Sequence, residues 1–287
     1  MTESAATTGL DYRIMSAQDM PSAYALTQVL KWPHRLEDWE SVQRIGQGVV
    51  ATQGEALLGT AMYWNYGDDY ASIGLVIVSP ERQGAGIGRE LMTRVLDAVK
   101  GRNAMLNATV AGQPLYEKLG FVACGKIFQH QGTAAFQPPL VTLPAGERLR
   151  PVVASDALRI AELASRASGV KRDAVVAEVL EQGSGIAIER DGELIGFALI
   201  RRFGRGYTIG PVVASDTEHA KALISHWVAS HGGMFLRVDI PDGTGLGPWL
   251  TELGLVQVDT GVTMVKGTPP KEDPQARLFS LVSQALH

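Results

Sequence analysis

The run Val76-Ile77-Val78-Ser79-Pro80-Glu81-Arg82-Gln83-Gly84-Ala85-Gly86-Ile87-Gly88-Arg89 constrains this chain more than any other stretch. An apolar strand over Tyr70–Val78 is stopped by Ser79 and Pro80, and a glycine-punctuated loop follows. Ile87, Leu91, Val95 and Val99 then recur every four residues, which predicts a helix from Gly88 to about Val99. Strand, glycine loop and helix start together make an anion cradle, because the unpaired N–H groups of a helix N-terminus point at the ligand. Gly84, Gly86 and Gly88 carry no Cβ, so their amides can approach a pyrophosphate closely, and Arg82 or Arg89 can add positive charge. Two other phosphate-binding patterns fail on spacing: there is no Gly-Lys-Ser/Thr ending, and Gly84-x-Gly86-x-Gly88 is not the dinucleotide fingerprint. The competing structural explanation is that the glycines only permit a tight turn.

Composition sets the frame for this motif. A length of 287 residues exceeds the usual single domain and predicts two domains of about 140 residues. Hydrophobic residues at 45% and charged residues at 20% give a chain with a real core. Lys plus Arg at 26 against Asp plus Glu at 30 leaves a formal charge of −4, which argues against nucleic acid as a partner. The single cysteine, Cys124, rules out an intrachain disulfide and fits a reducing compartment; no Cys/His spacing suggests a metal. The opening MTESAATTGLDYR lacks the basic start and apolar run of a signal peptide, and no run of about 18 apolar residues suggests a membrane span. The expectation is a cytoplasmic protein that binds neither membrane nor nucleic acid.

Apolar pattern and turn residues predict strands at 11–15, 49–52, 56–64, 70–78, 104–108 and 121–129, with helices at 16–30, 88–99 and 113–119. Trp32, Pro33, His34 and Trp39 mark a broken segment. Residues 137–146, with Pro138, Pro139 and Pro144, form an expected linker. The second half repeats the order, with helices at 155–167 and 174–181 and strands at 185–189 and 193–201. Residues 273–286 are expected to be a closing helix with Ala276, Phe279, Val282 and Leu286 on one face. The halves match at nearly constant spacing: Leu58-Gly59-Thr60-Ala61 with Ile195-Gly196-Phe197-Ala198 at 137 residues, Ile73-Gly74-Leu75-Val76 with Ile209-Gly210-Pro211-Val212 at 136, and Leu119-Gly120-Phe121 with Leu253-Gly254-Leu255 at 134. An internal duplication follows.

On these residues the chain resembles the GNAT-type N-acetyltransferases. Their signature, Gln/Arg-x-x-Gly-x-Gly/Ala, is matched by Gln83-Gly84-Ala85-Gly86-Ile87-Gly88, and a second family feature by Leu115-Tyr116-Glu117-Lys118-Leu119-Gly120-Phe121. The resemblance is strong over residues 10–133 and weak in the second half, where Arg205-Gly206-Tyr207-Thr208-Ile209-Gly210-Pro211 looks like part of the second domain of bacterial tandem members. It implies an α/β fold of two tandem GNAT-like domains, each a mixed, mainly antiparallel twisted sheet flanked by helices. The expected division is a catalytic domain at 1–133, a linker at 134–148 and a degenerate domain at 149–287 that includes the closing helix.

The resemblance further implies acetyl transfer from acetyl-CoA to a primary amine by direct attack. The diphosphate would bind Arg82, Gln83, Gly84, Ala85, Gly86, Ile87, Gly88 and Arg89, and backbone amides at Ile77 and Val78 would polarise the thioester carbonyl. Tyr116 falls where family members often protonate the departing thiolate; simple packing beside Leu115 and Leu119 is its alternative. The general base stays open among Asp68, Asp69 and His34, each with an ordinary solvated or structural explanation. Trp32, Trp39, Tyr63, Trp64 and Tyr66 border the acceptor region in the resemblance, and at least two of the five are expected in the core.

The second half reads Ala214-Ser215-Asp216-Thr217-Glu218-His219 where the first has its loop, placing carboxylates where phosphates would bind, and Leu250 stands in the place of Tyr116. One competent site per chain is expected. Asp239, Tyr207 and the cluster Arg201, Arg202 and Arg205 are weaker acceptor candidates, and His219 with His226 lacks a third metal ligand. The expected partner is a small-molecule amine, and a homodimer is allowed. Two other functions stay open: a non-catalytic acyl-CoA sensor, and a protein lysine acetyltransferase.

Overall fold

A computed structural model describes residues 9–139 and 141–287. Residues 1–8, the bulk of the opening segment considered above, and Leu140 of the expected linker lie outside it. Contacts divide the chain into two compact units, Met1–Trp64 with Ile73–Lys100, and Asn65–Ser72 with Gly101–His287.

In the first unit, β1 (Asp11–Ile14) leads through a short turn into α1 (Met20–Val29) and α2 (Leu36–Arg44). Then come β2 (Gln47–Gln53), β3 (Ala56–Tyr66), β4 (Tyr70–Val78) and α3 (Ile87–Ala98). β1 pairs antiparallel with β2 and β2 with β3, through the turn at Gln53–Gly54–Glu55. The core is Trp39, Met62, Trp64, Ile73, Ile77 and Leu91, all essentially solvent-free. α2 falls where a broken segment was expected. Leu36, Trp39 and Val42 share its inner face, and the Trp64 indole donates to Val42 O at 2.8 Å, fixing this helix to β3.

The second unit contains the start of β4 and then β5 (Asn103–Ala108), α4 (Gln113–Lys118), β6 (Val122–Thr133), β7 (Glu147–Pro151), α5 (Ala157–Ser168) and α6 (Asp173–Gln182). β8 (Gly183–Arg190), β9 (Glu193–Phe203), β10 (Gly206–Ala214), α7 (Thr217–Ser230), β11 (Phe235–Pro241), α8 (Gly247–Glu252), β12 (Val256–Lys266) and β13 (Arg277–Ser280) complete it. Strand order is β4-β5-β12-β6-β11-β10-β9-β8-β7, with β13 on β10. β12 thus lies between β5 and β6: Val262 faces Ala108 on one side and Lys126 on the other. The closing strand of one repeat is inserted beside the strands of the other, so compact contacts place residues 101–133 with the second half.

The expected closing helix is corrected. Residues 277–280 form β13, antiparallel to β10, with Val212 opposite Ser280 and Ala214 opposite Arg277. The spacing of Phe279 and Val282 suits a helix face as a local pattern, but the unpaired edge of β10 offers backbone partners that an isolated surface helix lacks.

Candidate active site

β4 ends at Val78, and Ser79 N–H is held by Leu58 O at 2.8 Å, which turns the chain out of the sheet. One 3-10 turn (Pro80–Arg82) precedes the glycine loop. Gly84 and Gly86 adopt φ of 81° and 82°, and a Cβ on either would meet nothing within 4 Å. Glycine is therefore required here by backbone handedness, not by crowding. Among the described residues the N–H groups of residues 84–89 donate to no acceptor; the first closure of α3 is Glu90 N–H to Gly86 O at 3.1 Å. Residues 80–86 and Arg89 are exposed and Gly88 is half-buried, while the buried Ile87 anchors α3 in the core. Arg82 donates to Gln53 at 2.8 Å, and Gln83 folds back on Val78 O at 3.3 Å. Arg89 is exposed with no ion-pair partner among the described residues. A row of free donors, a twelve-residue helix dipole and two guanidinium groups in one loop suit a polyanion such as a diphosphate.

Upstream, Ile77 is buried and Val78 half-buried. Leu75, in the middle of β4, has φ of 50°, a left-handed conformation costing a non-glycine residue about 1–2 kcal/mol. The buried Thr60 hydroxyl holds Leu75 O at 2.7 Å. β3 lies close here because residue 59 is glycine: a Cβ would come within 2.8 Å of Ile77 O. Its counterpart Gly196 stands in the same relation to Val213 O, at 3.1 Å.

Tyr116 sits on α4 with its ring edge-on to Phe121, centroids 6.1 Å apart, and against Gly112. Burial pushes its phenol up to about 12. Its hydroxyl has no hydrogen-bond partner among the described residues. The ring packs, while the hydroxyl keeps its proton and is not committed elsewhere.

The candidate bases lie in different surroundings. Asp68 is fully exposed, 3.8 Å from Arg102. Asp69 lines an open cavity of about 590 Å³ with Tyr66, Tyr70, Arg166, Lys171 and Asp273. The half-buried His34 has its ring 5.9 Å from Trp32, and its carbonyl accepts from Gln28 at 2.9 Å. Of the five aromatics, Trp39, Tyr63, Trp64 and Tyr66 are core residues, and only Trp32 is partly exposed.

The second half is filled by its own atoms. Asp216 caps α7 by accepting His219 N–H at 2.9 Å. The His219 ring is buried between Glu147 Oε2 at 2.6 Å and Asp216 at 3.1 Å, with Ser215 Oγ at 2.6 Å. Burial would raise the Glu147 carboxyl, but Arg190 and His219 hold it below its ordinary value. β13 occupies the β10 edge: Ser280 Oγ donates to Ile209 O at 2.8 Å and Leu281 N–H to Asp239 O at 2.9 Å. A Cβ on Gly210 would overlap the Leu281 carbonyl. Leu250 is fully buried.

The remaining acceptor candidates are engaged. Asp239 is gripped by Arg237 at 2.7 Å, Tyr207 lies edge-on to His231, and Arg201, Arg202 and Arg205 lie over Phe203, Tyr207 and Phe235. Among the described residues, no three His, Cys, Asp or Glu side chains converge as metal ligands. Sequence reasoning missed Leu75 and β13; the open φ of the first and the distant pairing of the second leave no local signature.

Comparison with known proteins finds a family for both halves of the chain. A family model described as an acetyltransferase (GNAT) domain matches residues 22–137, and a second with the same description matches residues 160–280. An uncharacterized N-acetyltransferase, YitH of Bacillus subtilis (strain 168), is 31% identical over 220 residues, covering 75% of this chain and 76% of the relative. The crystal structure of a putative acetyltransferase from Pyrococcus horikoshii superposes with a TM-score of 0.78 at 20% identity, covering 100% of this chain and 99% of that one. A tandem GNAT protein from the clavulanic acid biosynthesis pathway gives 0.64 at 13% identity, covering 91% and 99%.

Proposed function

We propose that this chain, which belongs to the GNAT family of acetyltransferases, acetylates the primary amine of a small metabolite or amino-acid-like acceptor at one site, carried by the first of its two tandem GNAT-like domains. As a family member it is an acetyl-CoA-dependent acyltransferase; acceptor, stoichiometry and residue roles are the proposal. The division into a catalytic region at 1–133, a linker at 134–148 and a degenerate region at 149–287 belongs to the same reading.

Acetyl-CoA supplies an activated thioester. Gly84 to Arg89 hold its diphosphate on free N–H groups, with Arg82, Gln83 and Arg89 at the rim. Backbone amides at Ile77 and Val78 polarise the carbonyl. The neutral amine forms the new C–N bond as the C–S bond breaks; Tyr116 gives its proton to the departing sulfur, and the proton that the nitrogen loses passes to water, from which the phenol is reprotonated. Burial raises the Tyr116 phenol to about 12, so it arrives protonated. The observation that carries the reading is the row of N–H groups at residues 84–89 that donate to no acceptor among the described residues, against a second half in which Asp216 caps α7 and β13 pairs with the end of β10 at Val212–Ala214. No helix among the described residues is long and apolar enough to cross a membrane, and a lone free cysteine fits a cytoplasmic setting.

Calorimetric titration of the whole chain with acetyl-CoA is the test. One molecule bound per chain supports the reading; two equivalent sites, or none, reject it. A screen of amines by free-thiol release then identifies the acceptor.

A further inference from the structure

Ser215 stands at the turn from β10, which ends at Ala214, into α7, which begins at Thr217, and it is exposed. Its hydroxyl lies 2.6 Å from His219 Nδ1, and His219 Nε2 lies 2.6 Å from Glu147 Oε2. Arg190, opposite Glu147 in the β7–β8 ladder, donates its Nε–H to Glu147 Oε1 at 2.8 Å. The Glu147 side chain is fully buried and the imidazole nearly so. All four residues belong to one compact unit.

These contacts fix the protons. Burial opposes ionisation of Glu147, but Arg190 and His219 outweigh it and hold the group as a carboxylate. A carboxylate only accepts, so the ring proton sits on Nε2 and Nδ1 is left as an acceptor. Ser215 has one hydroxyl proton and two acceptors within reach, Nδ1 at 2.6 Å and Asp216 Oδ2 at 3.0 Å, and the shorter contact takes it. Hydroxyl, imidazole and carboxylate thus stand in series, the arrangement by which an adjacent base activates a serine.

Helix capping does not account for this cluster. Asp216 caps α7 by itself, its Oδ1 accepting the His219 N–H at 2.9 Å. An imidazole and a carboxylate buried beneath that cap add a desolvation cost that capping does not require. Asp216 Oδ2 also lies 3.1 Å from Nδ1, so a ring that takes the serine proton has a carboxylate on each side of its new charge. The N–H groups of Asp216 and Thr217 donate to no acceptor among the described residues. At the start of a fourteen-residue helix they favour the negative oxygen that forms when a carbonyl next to Ser215 is attacked.

We propose that Ser215 is a nucleophile with His219 as its base, and that this second site hydrolyses small activated O-acyl esters. Ser215 Oγ bonds to the acyl carbon as its proton passes to Nδ1; the ester C–O bond breaks, and the leaving oxygen takes that proton. Water then bonds to the acyl carbon and gives a proton to Nδ1. The bond to Oγ breaks, Oγ takes the proton, and the carboxylic acid leaves. Glu147 is a positioning residue that holds the ring through Nε2. This hydrolysis uses no acetyl-CoA and stands apart from the acetyl-transfer reading.

The test uses the whole chain without acetyl-CoA. An alkyl fluorophosphonate, whose P–F bond breaks as the Oγ–P bond forms, should leave an adduct on the peptide that carries Ser215, found by mass spectrometry. With 4-nitrophenyl acetate as substrate, Ser215→Ala should slow nitrophenol release at least about ten-fold; this exposed position can lose its hydroxyl without disturbing the core. No adduct on Ser215, or a smaller fall in the variant, overturns the proposal. Glu147→Gln keeps the side-chain shape and removes the charge. It should lower kcat at least about ten-fold with KM within about two-fold of the unaltered protein, and any other pattern overturns the positioning role of Glu147.

Discussion

Arg13 grips Asp19 with two parallel hydrogen bonds of 2.8 and 2.6 Å, and the same clasp recurs 137 residues later between Arg150 and Asp156 at 2.7 and 2.9 Å. Each carboxylate also accepts the backbone N–H three residues before it, Ser16 or Val153. Arg13 and then Ser16 hold the Asp19 carboxyl down to about 2 against the opposing effect of burial, and Arg150 lowers Asp156 likewise. Both folded values lie below that of an unfolded aspartate, so the stability they contribute is fully present above pH ~4 and is lost as pH falls through the folded values. Urea titrations between pH 5 and 2, both order-of-magnitude bounds on this window, should show Asp19→Asn losing part of the wild-type pH dependence. An identical slope in variant and wild type contradicts the assignment.

Thr60→Val should destabilise the fold by about 1–3 kcal/mol, because the buried Leu75 carbonyl loses its hydroxyl partner while side-chain volume is conserved. Thr60→Ser keeps the donor and should cost less. Chemical denaturation of the two variants checks the order.

Gly86→Ala places a Cβ in open space, so the cost is conformational, about 1–2 kcal/mol of local strain. The loop relieves that strain by shifting its N–H groups. Acetyl-CoA affinity should fall by about ten-fold or more, the equivalent of that strain energy, with a small change in melting temperature. Affinity within two-fold of wild type, about 0.4 kcal/mol, would remove the loop's amides from the binding role.

Tyr116→Phe retains the edge-on contact with Phe121 and removes only the hydroxyl. Turnover should drop by about 10²–10⁴ while acetyl-CoA affinity is kept. With the phenol raised to about 12, the alkaline limb that it imposes on turnover should lie well above pH 10, the ordinary tyrosine value. An unchanged rate in the variant ends its assignment as proton donor.

Local chemistry made part of this architecture readable in advance. The glycines of residues 84–88 and the four-residue apolar period after them mark loop and helix, and α3 begins at Ile87. Gly59 and Gly196 stood out in the repeat comparison, and both allow close approach to a neighbouring carbonyl. α2 was missed because Pro33 and His34 interrupt the pattern just before a nine-residue helix whose buried residues, Asp38, Trp39, Ser41 and Val42, are half polar. Nothing about a leucine announces φ of 50° at Leu75; the conformation is imposed by neighbours such as Thr60. The partners of β12 and β13 are separated from them by long stretches of chain, and alternation along a strand does not say which edge it will join.

The insertion of β12 between β5 and β6 makes the duplication inseparable. Cutting the chain within residues 134–146 would sever no strand among the described residues, yet the front fragment would be left with β5 and β6 facing a missing neighbour, and the back fragment would carry β12 with nowhere to lie. The two copies are interlocked by topology: whatever each has become chemically, neither can be discarded without unravelling the other.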